Sequence, residues 1–162
     1  MTVNVKVVIE SPLLKKGGMF EKEFNKPYTI GYKHEGDSGA DLLAAIPEAI
    51  TIYPDEVIKV TTGIKIQITT DGYAPFIFPR SGLGTKGLQL ANTVGLIDRG
   101  YTGEIIAALR NTSSVPIIIQ PLQSIVQLVI LPVGVGRFIN SNELDNTSRA
   151  DGGFGSTDRN TL

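Results

Sequence analysis

The chain predicts an all-β fold, a sandwich or barrel, on three observations. Apolar residues recur with a period of two over most of the length. The alternating runs are short and are separated by Gly, Pro, Asn and Asp at regular intervals. With 18 glycines and 9 prolines in 162 residues, little sequence is left for long helices.

The elements follow in order. Val3, Val5, Val7 and Ile9 alternate with polar neighbours, which predicts a strand with one buried face. A polar, glycine-containing stretch from Ser11 to Gly18 comes next, and the charged segment to Lys26 carries no decisive pattern. Ala49 to Tyr53 leads through Pro54-Asp55 into Val57 to Ile68, where β-branched alternation continues on both sides of Gly63. Asp71-Gly72 reads as a hairpin-type turn. Strands are then expected at residues 74–78, 88–97, 105–109, 115–119 and 125–131, and a short helix is admissible near Ser81 to Lys86. From Ser141 onward the apolar residues thin out to Leu144, Phe154 and Leu162. Such a tail cannot bury itself, so it is expected to be mobile or to dock elsewhere.

Composition excludes several classes of function. Apolar residues make up 41% and charged residues 19%, the balance of a soluble globular domain. A formal net charge of −1 argues against a general affinity for nucleic-acid backbone, although a few local cations can still hold a small anion. The chain has no cysteine, hence no thiolate nucleophile, disulfide or cysteine-bound zinc. His34 is the single histidine, so Ser-His-Asp and multi-histidine sites are out of reach. Chemistry must rest on carboxylates, cations and a hard metal bound through phosphate. The N-terminal residues lack a signal peptide's apolar block and no run approaches the ~20 apolar residues of a spanning helix, so a cytoplasmic location and no membrane partner are expected. Asn111-Thr112-Ser113 and Asn146-Thr147-Ser148 then match the glycosylation pattern by chance.

Four segments carry candidate chemistry. Gly82-Leu83-Gly84-Thr85-Lys86-Gly87 fits a dinucleotide fingerprint as a string, but the following residues read as extended and Asp98 comes too soon for a ribose-binding acid. The same region, Pro79-Arg80-Ser81-Gly82, offers a forked guanidinium, a hydroxyl and open backbone N–H groups to a phosphate; it also fits a glycine-rich turn with a surface arginine. Asp98 lies between an apolar run and a glycine turn, where a partly desolvated carboxylate can act as a general base toward water, or serve as an ordinary turn aspartate. Arg149 to Thr157 sets Phe154 among glycines with two hydroxyls and an arginine, which suits a flap over a nucleotide or a plain linker.

Taken together, Ser38 to Ala44, Pro79 to Gly84, Gly95 to Glu104, Ile125 to Leu128 and Arg149 to Thr157 resemble, in order, the five motifs of the trimeric deoxyuridine triphosphate nucleotidohydrolases (dUTPases). The resemblance implies a distorted β-barrel or jelly-roll subunit at 1–140 and a flexible C-terminal arm at 141–162 that closes over a neighbouring active site. It also implies a homotrimer with shared sites, Mg²⁺, and hydrolysis of dUTP to dUMP and pyrophosphate. On this resemblance Asp98 is the general base and Tyr101 lies beneath the deoxyribose. Asn92 and the backbone around Gly95 read uracil, and Arg80, Ser81, Gly82 and Gln127 meet phosphate. Asp41 organises the hydrated Mg²⁺. Phe154 stacks on the base from another subunit, while Arg149, Gly155, Ser156 and Thr157 belong to the same closing arm.

The chain departs from that pattern in four places. Gln123-Ser124 replaces an acidic–arginine pair, Ala150 stands where glycine is usual, and Asp158 follows Ser-Thr in place of glycine. The stretch Leu13 to Tyr32 is longer than typical. Two rivals share some of these features. A dCTP deaminase of the same fold needs a proton-shuttling carboxylate, for which Glu104 is the candidate. A nucleotide-binding regulatory protein would signal through the Leu13 to Tyr32 stretch.

Overall fold

The computed structural model describes residues 2–152. Ten strands and two short helices follow one another as β1 (Val5–Ile9), α1 (Met19–Phe24), β2 (Ala40–Leu43), β3 (Ile50–Ile52), β4 (Val57–Ile68), β5 (Tyr73–Pro79), α2 (Ser81–Gly84), β6 (Leu88–Leu90), β7 (Gly95–Leu96), β8 (Glu104–Asn111), β9 (Ile117–Ile119) and β10 (Ser124–Pro132). Two four-stranded sheets, ordered β1-β4-β8-β6 and β2-β10-β5-β7, enclose the core, and β3 pairs with β9 apart from them. The sheets do not close on one another, so the jelly-roll form of the expected architecture holds and the closed-barrel form does not. The described pairings are all antiparallel. No βαβ unit is therefore present around Gly82 to Gly87, and the dinucleotide fingerprint there has no structural context.

Period two builds this core directly. Along β8 the burial runs in alternation, with Ile105, Ala107, Leu109 and Asn111 inward. Val126 and Leu128 of β10 are likewise buried with Ile64 and Ile66 of β4. Asn111 is fully buried and satisfied: its amide donates to the carbonyls of Ile52 and Val115, and its oxygen accepts from Ser113. That burial closes Asn111 to a glycosyl group. Among the described residues no helix is long and apolar enough to cross a membrane.

Three readings need correction. Asp71-Gly72 turns the chain, with Gly72 at φ +77°, yet β4 and β5 lie in different sheets, so the turn is a crossover between layers and not a hairpin. Turn residues specify a reversal of direction; they do not choose the pairing partner. The expected strand 88–97 is broken at Thr93 (φ 62°) into β6 and β7, which also belong to different sheets. Val7 is exposed because β1 is an edge strand whose face is only partly covered within one chain. The segment with no decisive pattern contains α1, whose Phe20 meets Tyr28 edge-on at 5.1 Å and packs on the core.

Gly63 is the joint between the layers. The β4–β8 register shifts between Thr61 and Lys65, leaving Gly63 at φ +69°. Its carbonyl accepts from Glu10 and Ser11, and its N–H donates to the Glu104 carboxylate at 2.6 Å. A methyl group there would meet the Ser11 Cβ at 2.5 Å and the Ala45 Cβ at 3.0 Å. Gly63→Ala is therefore predicted to lower stability by about 2–4 kcal/mol, combining left-handed strain with overpacking. Urea unfolding at fixed protein concentration measures it, and an unchanged midpoint would contradict this reading of the bulge.

Candidate active site

Residues distant in sequence gather into two clefts that have no lining residue in common. The first, about 240 Å³, is lined by residues that include Ile77, Asn92, Gly95, Asp98, Tyr101 and Glu104. The break at Thr93 creates it. β7 leaves that turn and pairs Gly95 with Ile77 of β5, so closely that a Cβ on Gly95 would lie 2.3 Å from the Ile77 side chain. The backbone of residues 95–98 is thereby pressed against β5, with the Ile97 N–H on the Pro75 carbonyl. Asp98 is exposed at the rim of this cleft, and its carbonyl accepts the Tyr101 N–H. The Tyr101 ring folds back over Gly103, and its hydroxyl donates to the Glu104 carbonyl at 2.8 Å.

Glu104 is tied down through one of its two carboxylate oxygens. That oxygen accepts from both the Thr61 hydroxyl and the Gly63 N–H, which ties it to the β4 bulge.

The second cleft, about 260 Å³, is lined by Lys33, Asp37, Ser38, Gly39, Asp41, Arg80 and Gln127. Asp41 on β2 pairs with Gln127 on β10, and Gln127 in turn pairs with Phe78 on β5, so three strands converge here. Gly39 packs closely on this pair, since a Cβ there would sit 3.2 Å from the Gln127 Cβ and would displace the end of the Gln127 side chain. Arg80 leaves the end of β5 and donates through Nε to Asp41 at 2.9 Å, while its other arm reaches the Ser124 carbonyl at 3.3 Å. Lys33 pairs with the second Asp41 oxygen. Burial alone would raise the Asp41 pKa, but the Lys33 hydrogen bond, the charges of Arg80 and Lys33, and a hydrogen bond to Ser124 outweigh it and hold the carboxyl below its ordinary 3.8. Ser124 thus reinforces this cluster at the very position where the chain departs from the resembled pattern.

Among the described residues no group of three or more His, Asp or Glu side chains forms a cage for a metal. One carboxylate kept anionic beside two cations fits a hydrated Mg²⁺ that would arrive on a phosphate chain.

The expected site residues therefore divide. Asn92, Gly95, Asp98 and Tyr101 line one cleft; Asp41, Arg80 and Gln127 line the other. Ser81 and Gly82 open the single turn of α2 just beyond Arg80 and are exposed. Arg149 lines neither cleft and donates through Nε to the Gly152 carbonyl. Phe154, Gly155, Ser156 and Thr157 lie outside the described residues, as does Asp158. Lys33 and Ser124 were not expected in the site. Only the second cleft's geometry exposes them, because Lys33 lies eight positions from its partner Asp41 in an unpatterned loop.

Linkage fixes the pH sign for Asp41. A depressed carboxyl pKa contributes stability that is present above the ordinary carboxylate range and is lost as pH falls through the folded value. Asp41→Asn is predicted to be less stable than the parent at neutral pH, with the gap closing as pH falls below about 4. Urea midpoints from pH 7 downward measure it, and a gap that widens on acidification would contradict the assigned pairing.

Comparison with known proteins identifies the family. The dUTPase family model matches residues 27–158. The deoxyuridine 5'-triphosphate nucleotidohydrolase of Desulfitobacterium hafniense is 44% identical over 127 residues, 78% of this chain and 84% of that protein. The enzyme of the same name from Burkholderia cenocepacia is 39% identical over 135 residues, 83% and 91% of the two chains. Among solved structures, a Staphylococcus bacteriophage 80alpha dUTPase variant with dUpNHpp superposes with a TM-score of 0.78 at 21% identity, covering 96% of this chain and 99% of that one. A phage phi11 dUTPase variant, in which the coordination of a structural Mg(II) ion is described, superposes with a TM-score of 0.71 at 19% identity over 88% of this chain and 99% of that one. By the family match across 27–158 and by these identities, the chain belongs to the dUTPase family.

Proposed function

We propose that the chain hydrolyses dUTP to dUMP and pyrophosphate in a site composed between copies of itself. The observation that carries this reading is the separation of its two clefts. One offers a backbone edge, a tyrosine and an exposed carboxylate; the other offers cations, an anionic Asp41 and Gln127. A nucleoside triphosphate needs both sets, and no lining residue joins them within one chain. A homotrimer that sets the first cleft of one subunit against the second cleft of its neighbour would supply them together.

In that arrangement the backbone of residues 95–98 and the Asn92 amide read the uracil edge. Cytosine would leave those donors and acceptors unpaired, at a cost of about 1–3 kcal/mol for each buried group. Tyr101 lies beneath the deoxyribose and excludes a 2′-hydroxyl by contact. Arg80, with the Ser81 hydroxyl and the Gly82 N–H, takes phosphate oxygens, and Gln127 stands near the α-phosphate. Asp98 orients a water and accepts its proton as the oxygen attacks the α-phosphorus, and pyrophosphate departs. Mg²⁺ bound to the phosphates supplies charge neutralisation, and Asp41 would hold its hydration shell. The arm from Arg149 to Thr157 closes on the nucleotide, with Phe154 over the base and Arg149, Ser156 and Thr157 on the γ-phosphate. Gly155 lets the arm approach.

Incubation with dUTP, dCTP or UTP in Mg²⁺, with products identified chromatographically, tests the activity. Turnover is expected for dUTP alone, giving dUMP and pyrophosphate, and a deoxyuridine product from dCTP would transfer the chain to the deaminase class. Asp98→Asn is predicted to bind dUpNHpp within a few-fold of the parent while kcat falls by at least about 10²-fold. Near-parental turnover would remove Asp98 from the role of base.

A further inference from the structure

The cation that the family resemblance did not supply is Lys33, and its position is built. Leu14 and Tyr28 are buried in the core, and Phe20 of α1 packs against Tyr28. The long segment is thus anchored before it reaches residue 33. The turn that follows is closed by Asp37, whose carboxylate accepts the N–H groups of Lys33 at 3.2 Å and His34 at 2.9 Å. The Lys33 backbone is therefore fixed at the mouth of the second cleft, while its side chain stays 59% exposed.

Asp41 holds two cations at once, Arg80 on one oxygen and Lys33 on the other. The two differ in freedom. Arg80 is also tied to the Ser124 carbonyl and is the less exposed, whereas the Lys33 ammonium has no other described partner and a four-carbon stem. A phosphate chain carrying a dication would bring Asp41 a stronger counter-charge and bring the cations anionic oxygens. The partners then exchange, and Lys33 is the group able to follow the phosphate chain outward.

We propose that Lys33 is a substrate-binding residue for the terminal phosphates, held on Asp41 until the triphosphate arrives. This rests on the reading that the second cleft takes the phosphates. Lys33 then favours the triphosphate over the monophosphate product and returns to Asp41 when pyrophosphate leaves. The long Leu13 to Tyr32 segment gains a role as the scaffold that delivers this cation.

Calorimetric titration of dUpNHpp and dUMP in Mg²⁺ into the parent, Lys33→Met and Lys33→Arg tests the assignment. Lys33→Met is expected to weaken dUpNHpp binding about tenfold, as loss of one charge-assisted contact implies, and to leave dUMP within twofold. Lys33→Arg should retain most of the affinity, and KM for dUTP should rise with the dUpNHpp dissociation constant. A residue that only restrains Asp41 would act in the opposite direction, because its removal frees the carboxylate. Unchanged or tighter dUpNHpp binding by Lys33→Met would overturn the proposal. A parent protein that binds dUMP but gains nothing from the added phosphates would overturn the phosphate reading of the cleft, and this inference with it.

Discussion

The Asp41 carboxylate is where the β2-β10-β5 face of this protein is held together. It sits on β2 opposite Gln127 of β10, and it receives Arg80 from beyond β5, Lys33 from the preceding loop and a hydrogen bond from Ser124. Four segments of chain thus depend on one anion. A buried or half-buried carboxylate without such donors would protonate or draw in water; with them it stays charged and fixes the two cations beside it. The cluster is thus a structural joint of the β2-β10-β5 face, with a cation on each Asp41 oxygen.

The cleft that holds Asp98 and Tyr101 depends on a different joint. Gly63, Thr61 and Glu104 lock the β4 bulge to the start of β8, immediately after the loop that carries Asp98 and Tyr101. Glu104 therefore acts as a brace for that loop. Both clefts border β5, one through Ile77 and the other through Arg80 just past the strand's end, yet they share no lining residue.

Much of this could be read from residues alone. Strand existence followed from period two, and the Ser81 turn from its glycines and polar residues. Arg80, Asp41, Gln127, Asn92, Gly95, Asp98 and Tyr101 came from motif order, and each lines one of the clefts. What escaped was pairing. Asp71-Gly72 looks like a hairpin turn because turn chemistry is local, whereas the choice of sheet is decided by which apolar faces meet. The helix α1 was hidden because six residues carry too little periodicity. Lys33 was hidden because nothing in a polar loop announces that its ammonium will land on a particular carboxylate.

The central claim is that catalysis needs Asp98 from one copy and the Arg80–Asp41 cluster from another. Subunit mixing tests it directly: Asp98→Asn and Arg80→Ala are each made, shown to be inactive, and then co-assembled. If the halves come from different copies, random mixing of the two types should restore about a quarter of the parental sites. Mixed oligomers that form yet stay as inactive as either parent would contradict the account, since both residues would then have to reside in the same chain.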